Sequence, residues 1–300
     1  MHTKLKILFP DWKNFGVDDI KDAFEKMGHE VIIYKTEPKN YRIDPRFKSE
    51  LKKYIRANEI TLMFTSNYFP VVADACHEVN IPYISWCYDS PLVLTFSKTI
   101  FYPTNFIFIF DSKMVADLQN LGVKQVFYMP MAVNPDRLNK LHTTSEQRKL
   151  IDADISFVGS LYSEKHTLYD RMTDLDDYTK GYIDGVMKAQ EQLYGVSIVE
   201  DALTPEIIDA MYQKMPINIH EDDLETKSYV YANYFINRKI TQTERPILLK
   251  EISEALPQME AQVGRKLKPL KLYTHNPTPF LPKVENMGTI HYMKEMPLVF

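Results

Sequence analysis

Over the first 135 residues, apolar positions follow two alternating rhythms. Short, nearly continuous apolar runs occur at 5–9 (LKILF), 30–34 (EVIIY), 60–65 (ITLMFT), 82–87 (PYISWC), 105–110 (NFIFIF) and 126–129 (VFYM). Runs of this length, bounded by polar residues, prolines and glycines, predict strands. The segments between them carry helical signals. Behind Asp18 and Asp19, whose charges suit a helix N-terminus, Ile20, Ala23, Phe24 and Met27 recur at helical spacing, and Gly28 supplies a stop. Further helices are predicted within the polar stretch 36–53, over Pro70–Val79, and from a cap at Asp111-Ser112 to Gly122. Strands that are apolar on both faces and separated by helices indicate a parallel sheet covered on both sides. Residues 1–135 are therefore expected to form one doubly wound α/β domain.

The rhythm then breaks. Residues 136–153 are polar and read as a linker or connecting helix, after which DISFVGSLY at 154–162 starts a new strand ending on glycine. Helical patterns follow almost exclusively: a stripe of Tyr182, Val186, Ala189 and Leu193, an N-cap at Thr204-Pro205-Glu206, a helix starting near Asp222-Asp223, and one over Pro246–Met259 carrying Ile247, Leu248, Ile252 and Leu256. Tyr229, Tyr231, Tyr234 and Phe235 fall at near-helical spacing and are expected to be core more often than a sugar-stacking platform. Strand character returns at 270–274 (LKLYT), followed by a small strand or turn at 286–289 and a helix over 294–300. The pattern is that of a second α/β region over 154–300, interrupted by mostly helical residues at about 165–264.

Composition narrows the function classes. The 300 residues are 45% hydrophobic and 25% charged, with a formal net charge of −4. That balance suits a globular protein and disfavours non-specific nucleic-acid binding, which needs a basic surface. No apolar run approaches the ~20 residues of a membrane helix, and the run near the N-terminus is too short for a secretory segment. Cys76 and Cys87, the two cysteines, lie in apolar contexts and read as buried thiols. A cytoplasmic location is expected.

Several common motifs are missing. No glycine-rich dinucleotide fingerprint follows the first strand, and there is neither a P-loop nor a Gly-x-Ser-x-Gly elbow. The eight histidines show no ligand spacing, so no metal is expected. Asp152-Ala153-Asp154 precedes a strand rather than following one, and reads better as the end of a polar linker than as a metal pair. His220-Glu221-Asp222-Asp223-Leu224-Glu225 reads as the charged first turn of a helix.

Candidate chemistry lies where strands end, since open parallel sheets bind ligands beyond their carboxyl ends. Asp89, in WCYDSP, could act as a base toward an acceptor hydroxyl or serve as a turn cap. Ser90 follows it, and Asp11, Asn14 and Asn67 occupy corresponding strand ends with the same two readings. In the second half, Gly159, Ser160 and Tyr162 follow one strand, and Thr274 and His275 end another. Glycine lets the backbone approach a ligand closely, though an ordinary tight turn uses it equally well.

Several pieces, in order, resemble the bacterial glycosyltransferase family that includes the spore maturation protein CgeB. They are ILFPDWKNFGVDDIKDAFEKMGHEV (7–31), IPYISWCYDSP (81–91), FDSKMVADLQNLGVKQVFYMPMAVNP (110–135), DISFVGSLY (154–162) and LKLYTHNP with MGTIHYMKEMPLVF (270–277, 287–300). The resemblance implies a GT-B-type fold: two Rossmann-like domains facing each other across a cleft, the first receiving the acceptor and the second holding the sugar nucleotide. It implies a nucleotide sugar as substrate, no cofactor and no metal; placed in that fold, the strand-end candidates give Asp89 as the catalytic residue and Asp11, Asn14, Asn67 and Ser90 as the acceptor side. Gly159, Ser160, Tyr162, Thr274 and His275 would serve the donor. The acceptor could be a glycan, a protein or a small molecule, and whether configuration is retained or inverted stays open. Such domains continue for several more strands, so by this resemblance the second Rossmann-like domain, 154–300, is partial, carries a helical insertion at about 165–264 that is available for a homodimer, and belongs either to a C-terminally truncated chain or to a shortened relative, inactive alone if its donor site is incomplete. Two other readings remain. One is a non-catalytic glycan- or partner-binding module on a degenerate scaffold; the other is an enzyme that epimerises or hydrolyses sugar nucleotides.

Overall fold

The computed structural model describes residues 3–12, 16–163, 167–221 and 223–289. Asn14 and the helix expected over 294–300 lie outside them. The chain divides into two compact units: one comprises the residues up to Asn134 together with Ile219–Glu225, the other the remainder.

The first unit follows the β–α alternation. Strand β1 (Lys6–Pro10) leads into helix α1 (Val17–Lys26) and β2 (Glu30–Tyr34). Helix α2 (Pro45–Ala57), β3 (Leu62–Ser66), α3 (Pro70–Val79) and β4 (Tyr83–Cys87) continue it, and β5 (Asn105–Ile109), α4 (Ser112–Asn120) and β6 (Val126–Tyr128) complete it. The six strands pair in the order β2-β1-β3-β4-β5-β6, all parallel. The order reverses at β1, which sends its outgoing chain to one side while β3 sends its own to the other. In open α/β sheets this reversal opens a crevice at the carboxyl edge.

Local chemistry explains the helix boundaries. Asp44 caps α2 by accepting from the Phe47 amide at 3.0 Å, Pro45 occupies the first turn, and Phe47, Leu51 and Ile55 form its buried stripe. The cap of α4 is Asp111, whose carboxylate accepts from the Lys113 and Met114 amides at 2.9 and 3.2 Å. The main core packs the buried sides of α2, α3 and α4 on one sheet face, while Val17, Ile20 and Phe24 of α1 pack with Ile7, Phe9, Leu62 and Phe64 in a separate cluster. Cys76 and Cys87 are buried free thiols, and burial pushes the Cys87 thiol up to about 12.

The Ile219–Glu225 segment returns to this unit as a strap. The Leu224 amide donates to the Phe96 carbonyl at 2.9 Å, and Asp223 forms an antiparallel bridge with Ser97. Arg42 pins the strap through ion pairs to Asp223 and, at 3.2 Å, to Glu225. The charged 220–225 motif is thus not the first turn of a helix. The next helix starts only at Lys227, capped by Thr226, which accepts from the Tyr229 amide at 3.1 Å.

The second unit contains α5 (Pro135–Leu138), α6 (Ser145–Ile151), β7 (Ser156–Val158), α7 (Asp177–Gln190), α8 (Val199–Ala202), α9 (Pro205–Lys214), α10 (Lys227–Val230), a π-helical turn Tyr231–Ile236, α11 (Asn237–Val263), β8 (Leu270–Tyr273) and β9 (Val284–Asn286). Among the described residues its sheet is three parallel strands in the order β7-β8-β9. Helix α7 buries Thr179, Ile183 and Val186, so of the expected stripe only Val186 is core, while Leu193 is 42% exposed. Helix α11 starts nine residues before the expected Pro246 and runs through both Pro246 and Pro257. Proline at a first turn and proline inside a long helix look alike in sequence. The register changes accordingly: Ile240 and Leu249 are buried, whereas Ile247 and Leu248 are 46% and 50% exposed. Tyr231 and Phe235 are core, in edge-to-face contact at 5.0 Å.

Candidate functional site

At the carboxyl edge of the first sheet, β3 and β4 are neighbours in register, Ser66 opposite Trp86. The residues that follow each strand therefore emerge side by side. Asn67 has a left-handed backbone, φ 69°, which asparagine tolerates better than most residues. Its Nδ2 donates to Asp89 Oδ2 at 2.8 Å, and its Oδ1 accepts from the Tyr88 and Asp89 amides at 2.8 and 3.3 Å. The Thr65 hydroxyl donates to the Asn67 carbonyl at 2.6 Å and fixes the turn from below. Asp89 is exposed and presents its carboxylate to solvent in a set direction.

The other first-half candidates are distributed differently. The Ser90 hydroxyl donates to Asp111 on the next strand end. Burial works against the Asp111 charge, yet the Ser90 hydroxyl and the Met114 and Lys113 amides hold its carboxyl below the usual range. Asp11 is exposed, gives its amide to the Tyr34 carbonyl at 2.9 Å, and shares no hydrogen bond with Asp89. Asn67 and Asp89 are brought together; Ser90 faces Asp111; Asp11 stands apart.

In the second unit, the Gly159 amide extends the β7–β8 ladder to the Tyr273 carbonyl at 3.2 Å. Its φ of 155° suits glycine, and a Cβ there would lie 3.2 Å from the Phe157 ring. The loop beyond it is organised by Asn276, which is 1% exposed. Asn276 Oδ1 accepts from the Leu161 amide at 2.6 Å, the Thr274 hydroxyl at 3.1 Å and the Ser160 hydroxyl at 3.3 Å. Ser160, Leu161 and Thr274 are thereby locked around one buried amide. His275 lies between Thr274 and Asn276 in sequence but is exposed.

A cation completes this edge. Arg245 on α11 donates to the Ser160 carbonyl at 2.6 Å, and its guanidinium lies 4.5 Å from the Tyr162 ring centroid. Gln242, one turn earlier, donates to the Tyr162 carbonyl at 3.0 Å. A guanidinium beside a glycine turn at a strand end is suited to an anionic phosphate. Neither Asn276 nor Arg245 stands out in the sequence reading. Asn276 had one signal, an Asn-Pro pair directly after a strand; Arg245 sits in a helix whose start the reading places one residue later.

The acidic pairs have structural partners. Asp154 receives Arg265 at 2.6 Å and the Lys268 amide at 2.7 Å, which hold its carboxyl down at about 2, and Asp152 pairs with Lys268. These contacts fasten the turn before β8 to the start of β7. Among the described residues no group of three His, Cys, Asp or Glu side chains is placed to share a metal ion, and no helix is long and apolar enough to cross a membrane.

No family model matches the chain, and no curated protein matches it. Solved structures similar to it include a glycosyltransferase from Rickettsia africae ESF-5, at TM-score 0.36 and 14% identity, covering 77% of this chain and 72% of that one. MurG from Acinetobacter baumannii matches at TM-score 0.35 and 9% identity, covering 94% and 80%. A Listeria monocytogenes protein described as a UDP-N-acetylglucosamine 2-epimerase matches at TM-score 0.36 and 12% identity, covering 99% and 86%. Likenesses at this level carry no weight for function, which rests on the chain's own residues.

Proposed function

We propose that the chain is a glycosyltransferase-like protein of the GT-B type, related to the family that includes CgeB, and that it transfers a sugar from a nucleotide-activated donor to an acceptor hydroxyl. One observation carries the reading: each unit ends its parallel sheet in a polar set suited to half of such a reaction. In the first unit, Asp89, oriented by Asn67, is a carboxylate able to take the proton of an attacking hydroxyl. In the second, Arg245 beside the Gly159–Tyr162 turn is a fixed positive charge able to stabilise a departing diphosphate. The bond from the anomeric carbon to the diphosphate breaks, the bond to the acceptor oxygen forms, and the proton goes to Asp89. The transfer needs no cofactor and, with Arg245 meeting the diphosphate charge, no metal in this proposal.

A non-catalytic glycan- or partner-binding module is the second reading. It is favoured by the mostly helical make-up of the second unit between β7 and β8.

The test is thermal denaturation with UDP, GDP and TDP and with their sugar conjugates. A nucleotide that binds the native chain raises Tm, with stabilisation growing as the logarithm of its concentration. The expected result is a shift with one nucleotide family that Arg245→Ala removes, accompanied by release of nucleotide from its sugar conjugate. Binding without any release supports the module; no shift with any nucleotide overturns the donor site.

A further inference from the structure

We propose that the first unit carries a second ligand site, a cavity for a neutral, hydroxyl-rich ligand of monosaccharide size, away from the Asp89 edge. The cavity lies among the start of α2, the first turns of α3, the Ser97–Tyr102 segment and the strap, and encloses about 290 Å³. That lies just below the usual range for ligand pockets, about 300–1,000 Å³, and suits one sugar ring rather than a nucleotide. Asn67 and Asp89 are not in its lining.

Charge decides the ligand class. The lining has three cations, Arg42, Lys48 and Lys98, and three carboxylates, Asp44, Asp74 and Asp223. An anion would meet the carboxylates and a cation the lysines, so neither gains. A hydroxyl donates and accepts at one atom, and an array of alternating donors and acceptors is what it satisfies best. Arg42 is committed to the strap, and Asp44 to the Phe47 and Lys39 amides. The groups that remain to meet a ligand centre on Asp74 and Lys48. The Lys48 ammonium gives two of its protons, to Asp74 at 2.7 Å and Glu78 at 2.9 Å, which leaves a third. The Asp74 carboxylate accepts from Lys48 and, at 3.3 Å, from the Tyr102 hydroxyl, with lone pairs to spare. A ring bearing adjacent hydroxyls can take the Lys48 proton with one and donate to Asp74 with the next.

The strap forms one wall. Asp223 lines the cavity, held there by Arg42 and by its bridge to Ser97. The site is therefore built from residues about 180 positions apart (Arg42 to Asp223, separation 181) and exists only when the strap is docked.

The experiment is saturation-transfer NMR on the whole chain with glucose, galactose, mannose and N-acetylglucosamine, repeated on Asp74→Asn and Asp89→Asn and in the presence of UDP. At least one sugar is expected to bind in the millimolar range. Asp74→Asn should weaken it at least about tenfold, since a charged acceptor is replaced by a neutral group, while Asp89→Asn and UDP leave it unchanged. If Asp74→Asn does not fold, Lys98→Ala, at an exposed position, is expected to weaken the same sugar at least about threefold. Absence of binding by all four sugars, loss in Asp89→Asn with retention in Asp74→Asn or Lys98→Ala, or displacement by UDP would each overturn the site. Sugar binding is read without a nucleotide, so its failure is distinct from failure of the donor site.

Discussion

Asn67 grips Asp89 from both ends of its own amide: Nδ2 donates to the Asp89 carboxylate at 2.8 Å, while Oδ1 receives the Tyr88 and Asp89 backbone amides. If this carboxylate is the base, Asp89→Asn removes it with little effect on stability, because the side chain is exposed. Turnover of a nucleotide-sugar donor should fall about 10²–10⁴-fold while Tm stays nearly constant. Asn67→Ala should lower both, costing about 1–3 kcal/mol through the lost hydrogen bonds and the left-handed backbone. Parallel activity and melting measurements on the two variants separate these outcomes; unchanged turnover in Asp89→Asn removes it from the chemistry.

Arg42→Ala should release the strap. The Asp223 and Glu225 side chains are only 9% and 7% exposed, so losing Arg42 takes its positive charge away from two shielded carboxylates. The expected cost is about 3 kcal/mol. Limited proteolysis should cut within 219–225 in the variant and not in the native chain, and urea denaturation gives the energy. Arg42→Lys should fall between, because a lysine keeps the charge but not the fork that reaches both acids.

Asn276→Ala should destabilise the second unit by about 2–3 kcal/mol, because the buried Leu161 amide loses its acceptor. Chemical denaturation followed through a probe in that unit checks it. A loss within experimental error would mean that the Gly159–Tyr162 turn is held by Arg245 and Gln242 instead.

Acid should weaken the fold through identifiable pairs. Hydrogen bonds from Lys48 and then Lys52 hold the Glu78 carboxyl at about 2, below its usual 4.5, and Arg265 with the Lys268 amide holds Asp154 at about 2, below 3.8. A lowered carboxyl contributes fully above its unfolded pKa and loses that contribution as pH falls through the folded one. Stability from these groups should thus decline between about pH 4.5 and about pH 2. Lys48, raised to about 12 by Asp74 and Glu78, contributes below its usual 10.5 and loses that only above it. Melting curves against pH should show the acid limb flattened in Glu78→Gln, and shallower at high salt, since these side chains are partly exposed.

The first sheet was legible because strands buried on both faces leave apolar runs, and Pro70 and Gly28 mark helix ends by conformation alone. Asn67 and Asp89 could each be named as strand-end residues. Their hydrogen bond could not, since it depends on the β3–β4 register across 22 residues. The second unit was less legible. Its strands are three or four residues long, Pro246 imitates a helix start, and the two groups that organise its edge, Asn276 and Arg245, are an ordinary amide and an ordinary cation until the chain brings them to Ser160. The strap was misread for the same reason. Its acids look like a helix's first turn, and the arginine that explains them lies far earlier in the chain.

The strap also sets an order of assembly. A ribosome releases Arg42, Phe96 and Ser97 well before it makes the residues that pair with them, and α7, α8 and α9 are synthesised in between. The nascent first unit can form its sheet early but must keep a groove open until residue 225 has emerged. A fragment ending at Asn134 would carry that groove permanently, with an arginine aimed at acids it does not contain.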